Sequence, residues 1–181
     1  MATTQQITKA EQLFQASGLG RCELVRGELM MMTPAGFRHG RIACTVAAII
    51  RDFAQKRGLG AVLSAETGFQ IGHDPDTVRA PDVAYVAIER IPQTEPVGFF
   101  PGAPDLAVEV LSPGDPAGDV LAKVQDWLDA GCRAVWVVDP KTRTVSVYPS
   151  RRQITVLSES ETLDGGEVLP GLRVAVADLF A

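Results

Sequence analysis

Apolar and polar positions follow distinct rhythms along this chain. Between Arg38 and Arg57, Ile42, Val46, Ile49, Ile50 and Phe53 recur at the spacing of one helical face, and Gly58 and Gly60 stop the run. Val120, Val124, Trp127 and Leu128 repeat that rhythm in a second helix. Asp115 is placed to cap its start, Pro116 to occupy its first position, and Gly131 to end it after Ala130. A shorter helix is predicted from the capping box Thr8-Lys9-Ala10-Glu11 to about Gly18, with Leu13 and Phe14 turned inward. Two runs, Leu106 to Leu111 and Ala134 to Pro140, are almost continuously apolar, as expected of strands covered on both faces. They flank the second helix, so the unit reads strand, helix, strand and predicts a parallel pair. Arg21 to Thr33 predicts a hairpin turning at Arg26-Gly27. Further strands are expected within Ala61 to Ile71, from about Asp82 to Ile88, and at Val145 to Tyr148, Ile154 to Leu157 and Leu172 to Val176. The pattern predicts an α/β protein, one domain over residues 1–181, with a central mixed β-sheet flanked by helices.

Composition narrows this picture. The 181 residues are 46% hydrophobic and 22% charged, which suits one soluble domain, and no apolar run approaches the ~20 residues of a membrane span. Met1 to Gln6 lacks the basic and then apolar segments of a signal peptide. Cys22, Cys44 and Cys132 are odd in number and far apart, so they read as small core residues of a cytoplasmic protein. A net charge of −5 argues against coating nucleic acid through a broad basic face, but leaves room for a local groove or a metal-dependent cleft. His73, Asp74 and Asp76 invite a metal reading; Pro75 between the acids and the lack of a second His make them a solvated loop.

The candidate chemistry lies elsewhere. Glu109 is a lone acid among Leu106, Ala107, Val108, Val110 and Leu111, and an ionised carboxylate there is costly unless something compensates it. Asp82 opens the preceding strand-like run, and Lys123 is the one lysine of the following helix. Phosphodiester hydrolysis needs an activated water and neutralised charge, which a divalent cation supplies. Mg²⁺, with Mn²⁺ as a substitute, favours one or two carboxylates plus water. Asp82 and Glu109 are the expected ligands, with the Val110 carbonyl as a third oxygen. Lys123 is then placed to orient or deprotonate the water, or to stabilise the pentacovalent phosphate. Three residues stand in support. Glu28, beside the hairpin turn, reads either as a surface carboxylate or as an acid facing the cleft. His39 lies in a helix first turn, where amides favour anions. Asp119, four residues before Lys123, reads as its surface ion-pair partner or as a cleft residue.

Several segments together resemble a known family. They are Arg79-Ala80-Pro81-Asp82-Val83, Pro104 to Pro113, Lys123, and Gly131 leading into Val135-Trp136-Val137-Val138-Asp139-Pro140. In this order they resemble the Uma-two family of restriction endonucleases, within the PD-(D/E)XK nuclease superfamily. Gly27-Glu28-Leu29 ahead of His39, Val145 to Tyr148 and Pro170-Gly171-Leu172 extend the likeness over nearly the whole chain. The resemblance implies a restriction-endonuclease-like fold, with Asp82, Glu109 and Lys123 as active residues and Glu28 as a supporting acid. The superfamily pattern puts lysine two residues after the second acid, where this chain has Leu111, so Lys123 is the candidate for a lysine moved to the next helix.

The leading functional expectation is therefore an Mg²⁺-dependent DNA endonuclease. A homodimer would suit cleavage of both strands. The alternatives are a catalytically inactive nucleic-acid-binding or regulatory homodimer on the same fold, and a hydrolase of smaller phosphoesters.

Overall fold

The computed structural model describes residues 6–181. Residues 1–5, most of the stretch considered above for a leader, lie outside the described residues. The chain opens with α1 (Ala10–Gln15) and a hairpin of β1 (Cys22–Val25) and β2 (Glu28–Met31), followed by the long α2 (Phe37–Arg57). Next come β3 (Gly60–Ser64), β4 (Phe69–Gly72), β5 (Thr77–Arg79), β6 (Val83–Ala87) and the short β7 (Phe100–Pro101). The expected strand–helix–strand unit is β8 (Leu106–Val110), α3 (Ala117–Asp129) and β9 (Ala134–Asp139). The chain closes with β10 (Thr144–Ser150), β11 (Gln153–Ser158), β12 (Thr162–Asp164) and β13 (Arg173–Ala175).

A six-stranded mixed sheet in the order β11-β10-β9-β8-β6-β3 forms the centre. Its one parallel pair is β8 with β9, in the register Val108 to Trp136 and Glu109 to Val137. Side chains alternate across this sheet as strand geometry requires. Val83, Tyr85, Leu106, Val108 and Val110 pack under Ile42, Val46, Ile50 and Phe53 of α2. Ala84, Val86, Ala107, Val135 and Val137 face Val124 and Trp127 of α3 on the other side. Each large apolar side chain so covered contributes about 1.5–3 kcal/mol. Leu106, Val108 and Val110 together outweigh the several kcal/mol lost by desolvating the single Glu109 carboxylate, so β8 stays central.

The sequence predicts one sheet; the described residues also build a five-stranded one, in the order β2-β1-β5-β4-β7, and a two-stranded one of β12 and β13. Ala61 to Ile71 is therefore two strands in different sheets, and β5 is separate from β6. The hairpin turn places Arg26 and Gly27 at φ 51° and 78°, the double positive of a two-residue turn that suits strand twist.

Local caps differ from the expected ones. In α1 the Gln12 side chain, not Glu11, accepts the amides of Thr8 and Lys9. This helix stops at Gln15 because Ala16 is extended; Leu13 is buried, but Phe14 is 51% exposed and stands edge-on to Phe99. In α3 the first helical residue is Ala117; the Asp115 carboxylate instead accepts the Ser112 amide and shapes the loop. Asp76, read as a solvated loop acid, is buried and accepts the Ala10 amide at 2.8 Å. Among the described residues no helix is long and apolar enough to cross a membrane.

Candidate active site

Three buried acids, Glu23, Asp82 and Glu109, reach one cleft, each held by the element that carries it. Asp82 lies just before β6, and its amide donates to the Val108 carbonyl at 3.0 Å. Its Oδ2 accepts the Val110 amide at 2.8 Å, which ties the carboxylate across the β6–β8 pair. Its Oδ1 meets Arg21 Nη2 at 3.1 Å and His39 Nε2 at 3.0 Å. The other ring nitrogen of His39 lies 3.3 Å from Ser112 Oγ. Burial, at 4% exposure, pushes the Asp82 carboxyl upward, but the His39 contact, the Val110 amide and the Lys123 charge hold it below its ordinary value.

Glu109 projects from mid-β8 toward α3 and is 7% exposed. Lys123 and Trp127 are one turn apart on α3, so both face it. Trp127 Nε1 donates to Oε1 at 2.8 Å, and Lys123 Nζ stands 3.0 Å from Oε2. The two oxygens of one carboxylate are thus fixed by two neighbouring positions of one helix. Burial nevertheless raises the Glu109 carboxyl to about 7; the Asp82 and Glu23 charges add to this, against the pull of Lys123 and Trp127.

Lys123 also reaches Glu23 Oε1 at 3.1 Å and donates to the Ala80 carbonyl at 3.4 Å. Burial would lower its ammonium pKa, but the Glu109 and Glu23 charges win and hold it above the ordinary value. Glu23, 3% exposed, takes Arg79 Nη1 at 2.8 Å and the Ala80 amide at 3.0 Å. These contacts and Lys123 overcome its burial and keep it below its ordinary value. Arg79 turns its remaining donors to Asp126, at 2.5 and 3.2 Å.

The expected trio Asp82, Glu109 and Lys123 lines this one cleft, with His39 and Val110 beside it. The cleft holds about 540 Å³, and Met30, Met31, Met32 and Pro34 form an apolar wall on one side. One supporting expectation, Glu28, needs correction, and another, Asp119, holds as a cleft residue but not as the ion-pair partner of Lys123. Glu28 begins β2, is exposed, and stands outside the cleft lining; its backbone pairs with Val25. The acid that the hairpin contributes is Glu23, on β1. Asp119 lines the cleft but is exposed, and Lys123 pairs with Glu23 and Glu109 instead of with it. Glu23, Arg21, Arg79 and Trp127 escaped the sequence reading. Glu23 carried a readable signal: like Glu109, it is a lone acid inside an apolar strand, Cys22-Glu23-Leu24-Val25.

The donor set can be weighed against a divalent cation. Among the described residues no three His, Cys, Asp or Glu side chains gather as a metal-binding group. Mg²⁺ does not require three, since it is held by one or two carboxylates and keeps several waters. Asp82 and Glu109 are hard oxygen donors beside an open cleft, and Asp82 raises the proton affinity of Glu109. A nearby cation relieves that repulsion, so the residues fit such an ion.

The model of the Uma2 family, described as "Putative restriction endonuclease", matches residues 10–177. A solved structure described as "a putative nuclease belonging to DUF820 from Anabaena variabilis ATCC 29413" superposes with a TM-score of 0.79 at 23% sequence identity. The alignment covers 88% of this chain and 89% of that one, so the two share a fold. No curated protein matches the sequence.

Proposed function

The chain belongs to the Uma2 family of restriction-endonuclease-like proteins, and from that premise we propose that it is a metal-dependent endodeoxyribonuclease. Asp82, Glu109 and the Val110 carbonyl hold Mg²⁺, or Mn²⁺ in its place. The observation that carries this reading is the Lys123 ammonium 3.0 Å from a buried Glu109 carboxylate that shares its cleft with Asp82. A bound cation supplies charge neutralisation and a more acidic water. Lys123, held protonated, stabilises the negative charge that grows on the phosphate oxygens. Trp127 and Lys123 keep the Glu109 carboxylate in one orientation, and the Val110 amide does the same for Asp82. Glu23 and Arg79 hold Lys123 toward the cleft.

One observation favours a second reading, a nucleic-acid-binding homodimer without hydrolysis. The three buried cleft carboxylates already have partners from the chain itself: Arg21 and the His39 ring for Asp82, Lys123 for Glu109, and Lys123 and Arg79 for Glu23. Incubation with supercoiled plasmid separates the two. The nuclease reading predicts nicked and linear DNA with Mg²⁺ or Mn²⁺, none with EDTA, and none from Asp82→Ala or Glu109→Ala. Cleavage that persists in both variants rejects this site. Retarded plasmid without cleavage, under every cation, supports the second reading.

A further inference from the structure

Two arginines enter this cluster, and they are bound in opposite ways. Arg79 is engaged at every nitrogen: its Nε, Nη1 and Nη2 all donate to Glu23 or Asp126. Arg21 is not. Among the described residues its side-chain hydrogen bond is the single one from Nη2 to Asp82, and its Nε is buried without a partner. A buried donor left without a partner is costly. The Arg21 side chain is 15% exposed and lines both the main cleft and a neighbouring one of about 230 Å³ bounded by Phe14, Phe99 and Glu66. A planar fork with open donors at a cleft wall matches two oxygens of a phosphate.

Asp82 Oδ1 already carries both Arg21 and His39. A divalent cation at that oxygen would stand beside the Arg21 guanidinium, whose like charge repels strongly at such range in a partly buried site, and would compete with both groups already bonded there. One neighbour must withdraw. His39 has a second anchor in Ser112 Oγ and sits on α2. The Arg21 side chain has none, while its backbone is pinned by the Met32 amide, so the side chain is the part able to leave.

We infer that Arg21 is an exchangeable counter-cation, which holds Asp82 while no divalent cation is bound and, once displaced, turns its guanidinium to a phosphate oxygen in the cleft. The inference rests on the proposed nuclease site and assigns Arg21 a role as positioning and phosphate-binding residue.

Mn²⁺ affinity, measured by calorimetry without DNA, gives the first test. Arg21→Gln removes the competing cation and should bind Mn²⁺ about tenfold tighter than the unmodified protein, a modest share of a close charge–charge repulsion. Arg21→Lys keeps the charge and should bind Mn²⁺ as the unmodified protein does. The second test is anisotropy of a short fluorescein-labelled duplex in Ca²⁺. Here Arg21→Gln and Arg21→Lys should both bind about tenfold more weakly, because lysine lacks the bidentate fork. Unchanged or weaker Mn²⁺ binding in Arg21→Gln overturns the inference and makes Arg21 a fixed brace of Asp82. If Glu109→Gln abolishes Mn²⁺ binding in that same series, the proposed site survives the loss. Duplex affinity equal in Arg21→Lys and the unmodified protein removes the phosphate role. No Mn²⁺ binding by either the unmodified protein or Arg21→Gln rejects both the inference and the site beneath it.

Discussion

Replacing Glu109 with glutamine should change how folding stability depends on pH. In the folded chain burial raises this carboxyl from its ordinary value of 4.5 to about 7. Between those values the folded state binds a proton that the unfolded state has lost. Stability therefore falls as pH rises through that window. The gap corresponds to about 3 kcal/mol, at 1.36 kcal/mol for each factor of ten in proton affinity. Asp82 and Glu23, both held below their ordinary values, contribute the opposite slope where their unfolded counterparts titrate, and that share is common to both proteins and cancels in the difference. Glu109→Gln cannot titrate. Urea denaturation of both proteins in EDTA, followed by tryptophan fluorescence, measures the difference directly. Relative to the variant, the unmodified protein should lose about 3 kcal/mol between about pH 4 and about pH 8. A difference that stays constant, or one that grows in favour of the unmodified protein as pH rises, would refute the claim that burial raises the Glu109 carboxyl above its ordinary value.

The neighbouring residues give further expectations. Lys123→Met leaves Glu109 and Glu23 buried without their shared cation, so it should abolish plasmid nicking and cost about 3–5 kcal/mol in urea denaturation. Glu23→Gln should impair nicking by tenfold or more, on the order expected for losing a charge-assisted contact to Lys123. Glu28→Gln, an exposed change, should leave nicking intact and stability within about 0.5 kcal/mol. Trp127→Phe removes the indole donor that lowers the Glu109 carboxyl. The pH-dependent stability transition should then move to higher pH, and an unmoved transition would contradict that contact.

Much of the core was legible because it depends on local pattern. The apolar runs of β8 and β9, and the stripe of α3 between them with Gly131 at its end, specify a buried parallel unit before any tertiary contact is known. Glu109 stands out in that unit because one acid breaks an otherwise apolar strand, and Lys123 because its helix offers no other lysine. Glu23 was missed although it carries the same signature, because a hairpin strand ordinarily has one wet face. Burial of that face depends on Lys123 and Arg79, 100 and 56 positions later in a chain that the second sheet folds back. Arg21 likewise shows nothing locally; only the meeting of β1 with the start of β6 brings it to Asp82. Asp76 illustrates the same limit, since its loop composition is solvated in type and its partner amide, Ala10, lies 66 residues away. The cap of α1 was misread by one position because Gln12 and Glu11 are both able to reach back, and the start at Ala10 selects the former.

The most direct measurement is the anomalous scattering of a crystal soaked in Mn²⁺. The account predicts one strong peak in the main cleft, coordinated by the Asp82 and Glu109 carboxylates, with Lys123 still beside Glu109. A cleft without a peak, in which Arg21 and Lys123 keep both acids as they are in the metal-free protein, would contradict it.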